Sequence, residues 1–177
     1  MPATLRKLVT GGQTGVDRGA LDAALEHGFP CGGWCPAGRL AEDGPLPQRY
    51  PLREVPDGTY ADRTEQNVRD SDATLILVPG KLAGGTRLTL DCCKRHARPH
   101  LLIRLPPVLN RNHAEFERAL TRAGSFLEST ACRTLNVAGP RASEWPDAYA
   151  SARALVTGLL NDSETGPSIG TDRKPLC

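Results

Sequence analysis

Apolar positions follow two alternating rhythms along the chain: short continuous runs, and segments in which apolar residues return every three or four positions. Leu5–Thr10 reads as a strand running into the turn Gly11–Gly12. Val16–His27 then carries Val16, Ala20, Leu21, Ala24 and Leu25 at helical spacing, stopped by Gly28. Phe29–Trp34 predicts a short second strand, and residues 36–58, rich in proline and glycine, a long ordered loop. Asp62 with Glu65 reads as a capping pair for a helix to about Asp70. Ala73–Val78 is continuous, apolar and β-branched, the pattern of a strand buried on both faces of a parallel sheet. The turn Pro79–Gly85 leads to a helix over Thr86–Ala97, followed by a strand at His100–Leu105. Asn112 with Glu115 caps a helix whose Phe116, Ala119, Leu120, Ala123 and Leu127 share one face. Thr134–Ala138 gives a fifth strand, ending at Gly139–Pro140, and Ala148–Leu160 a last amphipathic helix.

Strands alternating with helices predict an α/β, Rossmann-like, doubly wound fold. Its mainly parallel sheet has about five or more strands, with helices on both faces. Residues 1–160 are expected to form one ligand-binding domain, and 161–177, polar with Gly and Pro, a disordered tail.

Composition narrows the function without naming it. Among 177 residues, 39% are hydrophobic and 24% charged, with a formal net charge of +2, so nothing points to a coat for nucleic acid or anionic membrane. No apolar run approaches the ~20 residues that cross a bilayer, and no signal peptide opens the chain, so the expected location is cytoplasmic. Six cysteines and four histidines show no metal-ligand spacing, so no protein-ligated metal is expected and most cysteines read as small buried hydrophobes.

Ligands of open parallel sheets sit beyond the carboxyl ends of the strands. Three strands here end in unusual loops: Thr10–Gly15, Pro79–Thr86 and Asn136–Arg141. In the first two, on strands expected to lie together, glycines precede a helix N-terminus, where free amides and the helix dipole favour an anion. Thr14 and Thr86 can add hydroxyl donors. Asp17, at the start of the first helix, is either a partner of the helix dipole or a hydrogen-bonding group for the ligand. Arg39, Arg63 and Arg141 lie in or beside loops, where arginine suits phosphate. Trp34 can stack on a planar ring or cover the sheet edge.

Several segments carry a resemblance: Gly11-Gly-Gln-Thr-Gly-Val-Asp-Arg18, Gly33-Trp-Cys-Pro-Ala-Gly-Arg39, Ala41-Glu-Asp-Gly44, Arg63-Thr-Glu-Gln-Asn-Val68, Ser71–Leu77, Gly84-Gly-Thr86 and Asn136-Val-Ala-Gly-Pro-Arg141. They closely resemble the molybdenum carrier family, similar to molybdenum-cofactor carrier proteins within the SLOG/LOG-like Rossmannoid group, over roughly residues 5–160. The resemblance implies a homo-oligomer, a dimer or tetramer, that binds a purine nucleotide or the molybdenum cofactor, a phosphorylated pyranopterin whose metal is held by its own sulfurs. The ligand residues it implies are Gly11, Gly12, Gln13, Thr14, Gly15, Asp17 and Arg18 in the first loop, and Trp34, Arg39, Arg63 and Asn67 in the middle of the chain. Gly80, Gly84, Gly85, Thr86, Asn136, Gly139 and Arg141 complete the set.

Related phosphoribohydrolases of nucleoside 5′-monophosphates carry P-G-G-x-G-T-x-x-E. This chain departs from that motif: an insertion separates Pro79–Gly80 from Gly84-Gly-Thr86, and Thr89 stands where the glutamate would be. Threonine cannot act as a carboxylate acid or base. A hydrolase reading therefore needs an acid from elsewhere, with Glu42, Asp43, Glu65 and Asp91 as candidates. A nucleotide-sensing module is a third reading.

Overall fold

The computed structural model describes residues 5–107 and 114–161. In chain order the elements are β1 (Lys7–Val9), α1 (Val16–Glu26), β2 (Cys31–Gly32), β3 (Trp34–Cys35), β4 (Leu40–Ala41), β5 (Gly44–Pro45), β6 (Arg53–Glu54) and α2 (Tyr60–Arg69). There follow β7 (Ala73–Val78), α3 (Gly84–Arg95), β8 (His100–Arg104), α4 (Ala114–Ser129), β9 (Thr134–Ala138) and α5 (Ala148–Asn161). The main sheet is wholly parallel in the order β2-β1-β9-β7-β8. Strands β1 and β7, expected side by side, are separated by β9, the last strand of the chain.

Helices cover both faces, as the alternation of strand and helix predicts. On one face α1, α5 and α4 pack in a row over Leu75 and Leu77 of β7 and Leu135 and Val137 of β9, the larger core. The alternate residues point the other way. There α2 pairs with α3, and Val68, Cys92 and Cys93 form a smaller cluster. On that second face Asn136 lies opposite Thr74 in register and donates to its hydroxyl at 3.3 Å.

Several boundaries differ from expectation for local reasons. The second strand stops at Gly32, because Gly33 takes φ 128° and the chain crosses so close to β1 that a Cβ there would lie 2.1 Å from the Thr10 carbonyl oxygen. Trp34–Cys35 then pairs with β6 instead. Residues 36–58 hold a β4–β5 hairpin and their own core, in which Leu46, Tyr50 and Leu52 pack with Leu21 and Cys35. Helix α2 starts at Tyr60: the capping pair is Thr59 with Asp62, since the Thr59 hydroxyl accepts from the Ala61 and Asp62 amides while Asp62 accepts from the Thr59 amide. Helix α3 begins at Gly84, two residues before the expected start. The expected cap at Asn112 and the tail beyond Asn161 lie outside the described residues. No helix among them is long and apolar enough to cross a membrane.

Two predictions follow from the packing. Helices α1 and α5 come into backbone contact at Gly19, where a Cβ would come 2.3 Å from the Tyr149 carbonyl oxygen. Gly19→Ala gains helix propensity but must part the helices, so a net loss of about 1–2 kcal/mol is expected in urea unfolding. Burial pushes the Cys132 thiol from its ordinary 9.0 up to about 12. A group raised in the fold leaves stability intact below its ordinary value and erodes it as pH climbs toward the folded one. The unfolding midpoint should therefore fall between pH 9 and 12, and Cys132→Ala should flatten that decline.

Candidate functional site at the switch point of the sheet

From β1 the chain winds outward to β2, and from β7 it winds the opposite way to β8. Between these diverging connections, above β9, lies a cavity of about 290 Å³, the place where open α/β sheets bind ligands. Its lining comes from the loop after β1 and the start of α1, the first turns of α3, the end of β9 and the loop after it, and the first turns of α2: Gln13 and Asp17; Gly85, Thr86, Leu88 and Thr89; Ala138, Gly139, Arg141 and Glu144; Tyr60, Ala61, Arg63 and Thr64.

The two glycine loops do different work, as shown by what a Cβ would meet. At Gly11 it would lie 1.6 Å from Arg63 Nη1; at Gly12, 2.4 Å from a Leu52 methyl; at Gly15, 2.5 Å from the Pro140 carbonyl oxygen. All three positions in the first loop are filled by protein. That carbonyl also accepts from the Val16 amide at 3.2 Å, so the loop after β9 covers the N-terminus of α1. The second loop is open. Nothing approaches within 4 Å of a Cβ at Gly85, and only the Glu144 carboxylate, at 3.4 Å, approaches one at Gly84. No side chain caps α3, whose first-turn amides have no intrahelical acceptor. The Thr86 hydroxyl beside them is buried without a hydrogen-bond partner.

Asp17 sits at the floor, 3% exposed. Its carboxylate accepts from the Gln13 amide and from Arg63 Nη1, both at 3.2 Å. Burial pushes its pKa above the ordinary carboxylate range, against the pull of Arg63 and of the Gln13 and Gly11 amides. Arg63 Nε, also buried, has no partner. At the rim Arg141 pairs with Glu144 at 3.3 Å. Both arginines of the lining are thus matched by an acid, and the first-turn amides of α3 are left without a side-chain cap, with the Glu144 carboxylate beside Gly84.

Other expected ligand residues lie outside the cavity lining. The Thr14 hydroxyl accepts from the Ala142 amide and donates to Glu42. Arg18 donates to Asp43 and to the Gly12 carbonyl. Arg39 donates to the carbonyls of Leu46, Pro47, Tyr50 and Leu52, holding the 36–58 segment in shape. Asn67 both donates to and accepts from the Trp34 backbone. Trp34, expected at the ligand face, instead lines a separate cavity with Lys7 and Thr134, and its indole donates to Asp70 at 2.8 Å. Asn136 is spent within the sheet, and Gly80 lies on an outer groove beside Trp145.

None of the four candidate acids lines the cavity. Glu42 accepts from Thr14 and Ser143 and lies 3.9 Å from Arg141; burial raises its pKa, but these donors outweigh it and hold it below the ordinary range. Together with Asp43 it straps the β4–β5 turn onto the loops after β1 and β9. Glu65 meets His96 and Arg95 between α2 and α3, and Asp91 pairs with Arg87 one turn away. The carboxylates that do line the cavity are Asp17 and Glu144. Sequence reasoning missed Tyr60, Ala61, Thr64, Leu88, Thr89, Ala138 and Glu144 as lining residues. The Thr59–Asp62 capping box was the available signal for the first three, because it puts their helical turn at the same end as Arg63. Among the described residues no group of three or more His, Cys, Asp or Glu is placed to hold a metal ion.

Comparison with known proteins agrees with this fold. A crystal structure from Syntrophus aciditrophicus SB, named "Putative molybdenum carrier protein", is 43% identical, with a TM-score of 0.82 over 89% of this chain and 96% of that one. Among curated proteins no match is found. The model of the circularly permutated YpsA SLOG family matches residues 8–160, and the chain belongs to that family.

Proposed function

We propose that this protein binds a phosphorylated, nucleotide-like ligand in the switch-point cavity and serves as a carrier of the molybdenum cofactor. The observation that carries the reading is the uncapped N-terminus of α3, with Gly85 open to the cavity and the Thr86 hydroxyl lacking a partner. Free amides at a helix start bind phosphate, and no side chain caps these. With Arg63 and Arg141 already paired, one phosphate suits the electrostatics better than a chain of them. The cavity lies at the small end of ligand sites, roughly 300–1,000 Å³, which fits a mononucleotide-sized molecule. Asp17 and the side-chain amide nitrogen of Gln13, at the floor, are the groups available to hydrogen-bond a ring or its hydroxyls, the Gln13 oxygen being taken by the Thr14 and Glu42 amides.

Carriage rather than hydrolysis is supported by Thr89. It occupies the place of the hydrolase glutamate, lines the cavity, and donates its hydroxyl to the Gly85 carbonyl at 3.1 Å. The molybdenum assignment rests on the name of the 43% identical relative.

Denaturing freshly purified protein should release a phosphorylated pterin, identified by mass spectrometry, with near-stoichiometric molybdenum in the same sample. Release of a purine nucleotide would keep the phosphate site and remove the molybdenum role. The glycines give a sharper test of the site. Gly85→Val places its side chain in open space, so the fold should persist while affinity for the released ligand drops at least about tenfold, the scale of one charge-assisted hydrogen bond. Gly12→Val combines φ 75° with a clash at Leu46 and Leu52. It should cost about 2–4 kcal/mol of stability in denaturant unfolding.

A further inference from the structure

The cavity has an aromatic wall that the sequence motifs do not contain. Tyr60, the first residue of α2, is 45% exposed and lines it together with Leu88 from α3. By contrast Tyr50, ten residues earlier, is 2% exposed inside the second core. A large ring left half in water at the mouth of a cavity gains little from its own chain, and it offers a flat, apolar face to whatever enters. The tryptophan expected to supply that face is held elsewhere by its hydrogen bond to Asp70.

The start of α2 is fixed in a way that presents this ring without competing for the anion. Thr59 satisfies the Ala61 and Asp62 amides, and Asp62 brings a carboxylate to the same turn. This helix end is therefore closed to phosphate by capping and by charge, whereas the α3 end beside it is open. The two N-termini divide the cavity into an anion pole at Gly85 and Thr86 and an apolar pole at Tyr60 and Leu88. A ligand spanning both carries a phosphate at one end and a flat, weakly polar body at the other.

We infer that Tyr60 is the stacking wall of this site and the residue that selects a planar nitrogen heterocycle over other phosphate esters. The inference rests on the phosphate reading of α3. Purine and pterin rings share the required flatness, so the wall accepts both. Choice between them falls to the hydrogen-bonding floor at Asp17 and Gln13.

Calorimetric titration of the full chain with AMP, neopterin monophosphate and ribose 5-phosphate tests this, using the parent, Tyr60→Phe, Tyr60→Ala and Gly85→Val. The parent is expected to bind at least one of the two heterocyclic phosphates more tightly than ribose 5-phosphate by about ten- to a hundredfold, the scale of one base stacked on an aromatic ring. Tyr60→Phe should stay within about twofold of the parent. Tyr60→Ala should lose that preference while its affinity for ribose 5-phosphate is unchanged, with a circular dichroism melt like that of the parent because the ring is half exposed. Preference for only one heterocycle would support the stacking wall and identify the ring. Equal weakening of all three ligands by Tyr60→Ala, or no weakening, would overturn the inference. So would a parent that treats all three alike. Failure of the phosphate reading is read separately, as unchanged affinity for ribose 5-phosphate in Gly85→Val. Absence of binding by all three probes would overturn both.

Discussion

Beneath the first glycine loop a buried carboxylate meets a nearly buried guanidinium, and the site is arranged around that pair. Asp17 opens α1 and Arg63 belongs to α2, so their contact ties together helices on opposite faces of the sheet. Removing one partner of a buried ion pair strands the other at a cost of about 3–5 kcal/mol. The pair also dictates local sequence. Gly11 has no Cβ because the Arg63 guanidinium lies where one would be, and the Gln13 amide is turned down to the carboxylate. The loop that reads as a phosphate cradle is thus shaped by an internal cation.

With the first loop filled from below by Arg63, from the side by Leu46 and Leu52, and from above by the Pro140–Ala142 segment, the anion-binding capacity of the site passes to α3. There Gly85 faces space, and the hydroxyl of Thr86 has nothing to bond. The strap made by Glu42 and Asp43 completes the division, since it holds the 36–58 segment against the first loop and away from the cavity. Function on this account comes from one open helix end and one exposed aromatic ring on a scaffold whose other polar groups are largely satisfied internally.

Much of the architecture was legible from periodicity, because β7 is apolar but for Thr74 and α1, α4 and α5 carry regular apolar stripes. What was not legible is where the chain doubles back. Nothing local in Thr134–Ala138 says that this strand inserts between β1 and β7, since strand order is decided by long-range packing. The site was partly legible: the three loops, Arg63 and Thr86 do converge. Glycine alone, however, does not say whether its missing Cβ makes room for a ligand, as at Gly85, or for the protein, as at Gly11, Gly12 and Gly15. Arg39 and Trp34 show the same ambiguity. Each is a plausible ligand group in sequence, and each is committed by contacts from residues 7 to 36 positions away.

The claim that one glycine loop binds the anion while the other is structural can be tested by titrating the ¹⁵N-labelled protein with ribose 5-phosphate and following its amide resonances. The account predicts that the largest shifts fall on Gly84, Gly85 and Thr86, with only small changes over Gly11–Gly15. Dominant shifts at Gly12, Thr14 and Gly15, with Gly85 unmoved, would contradict it.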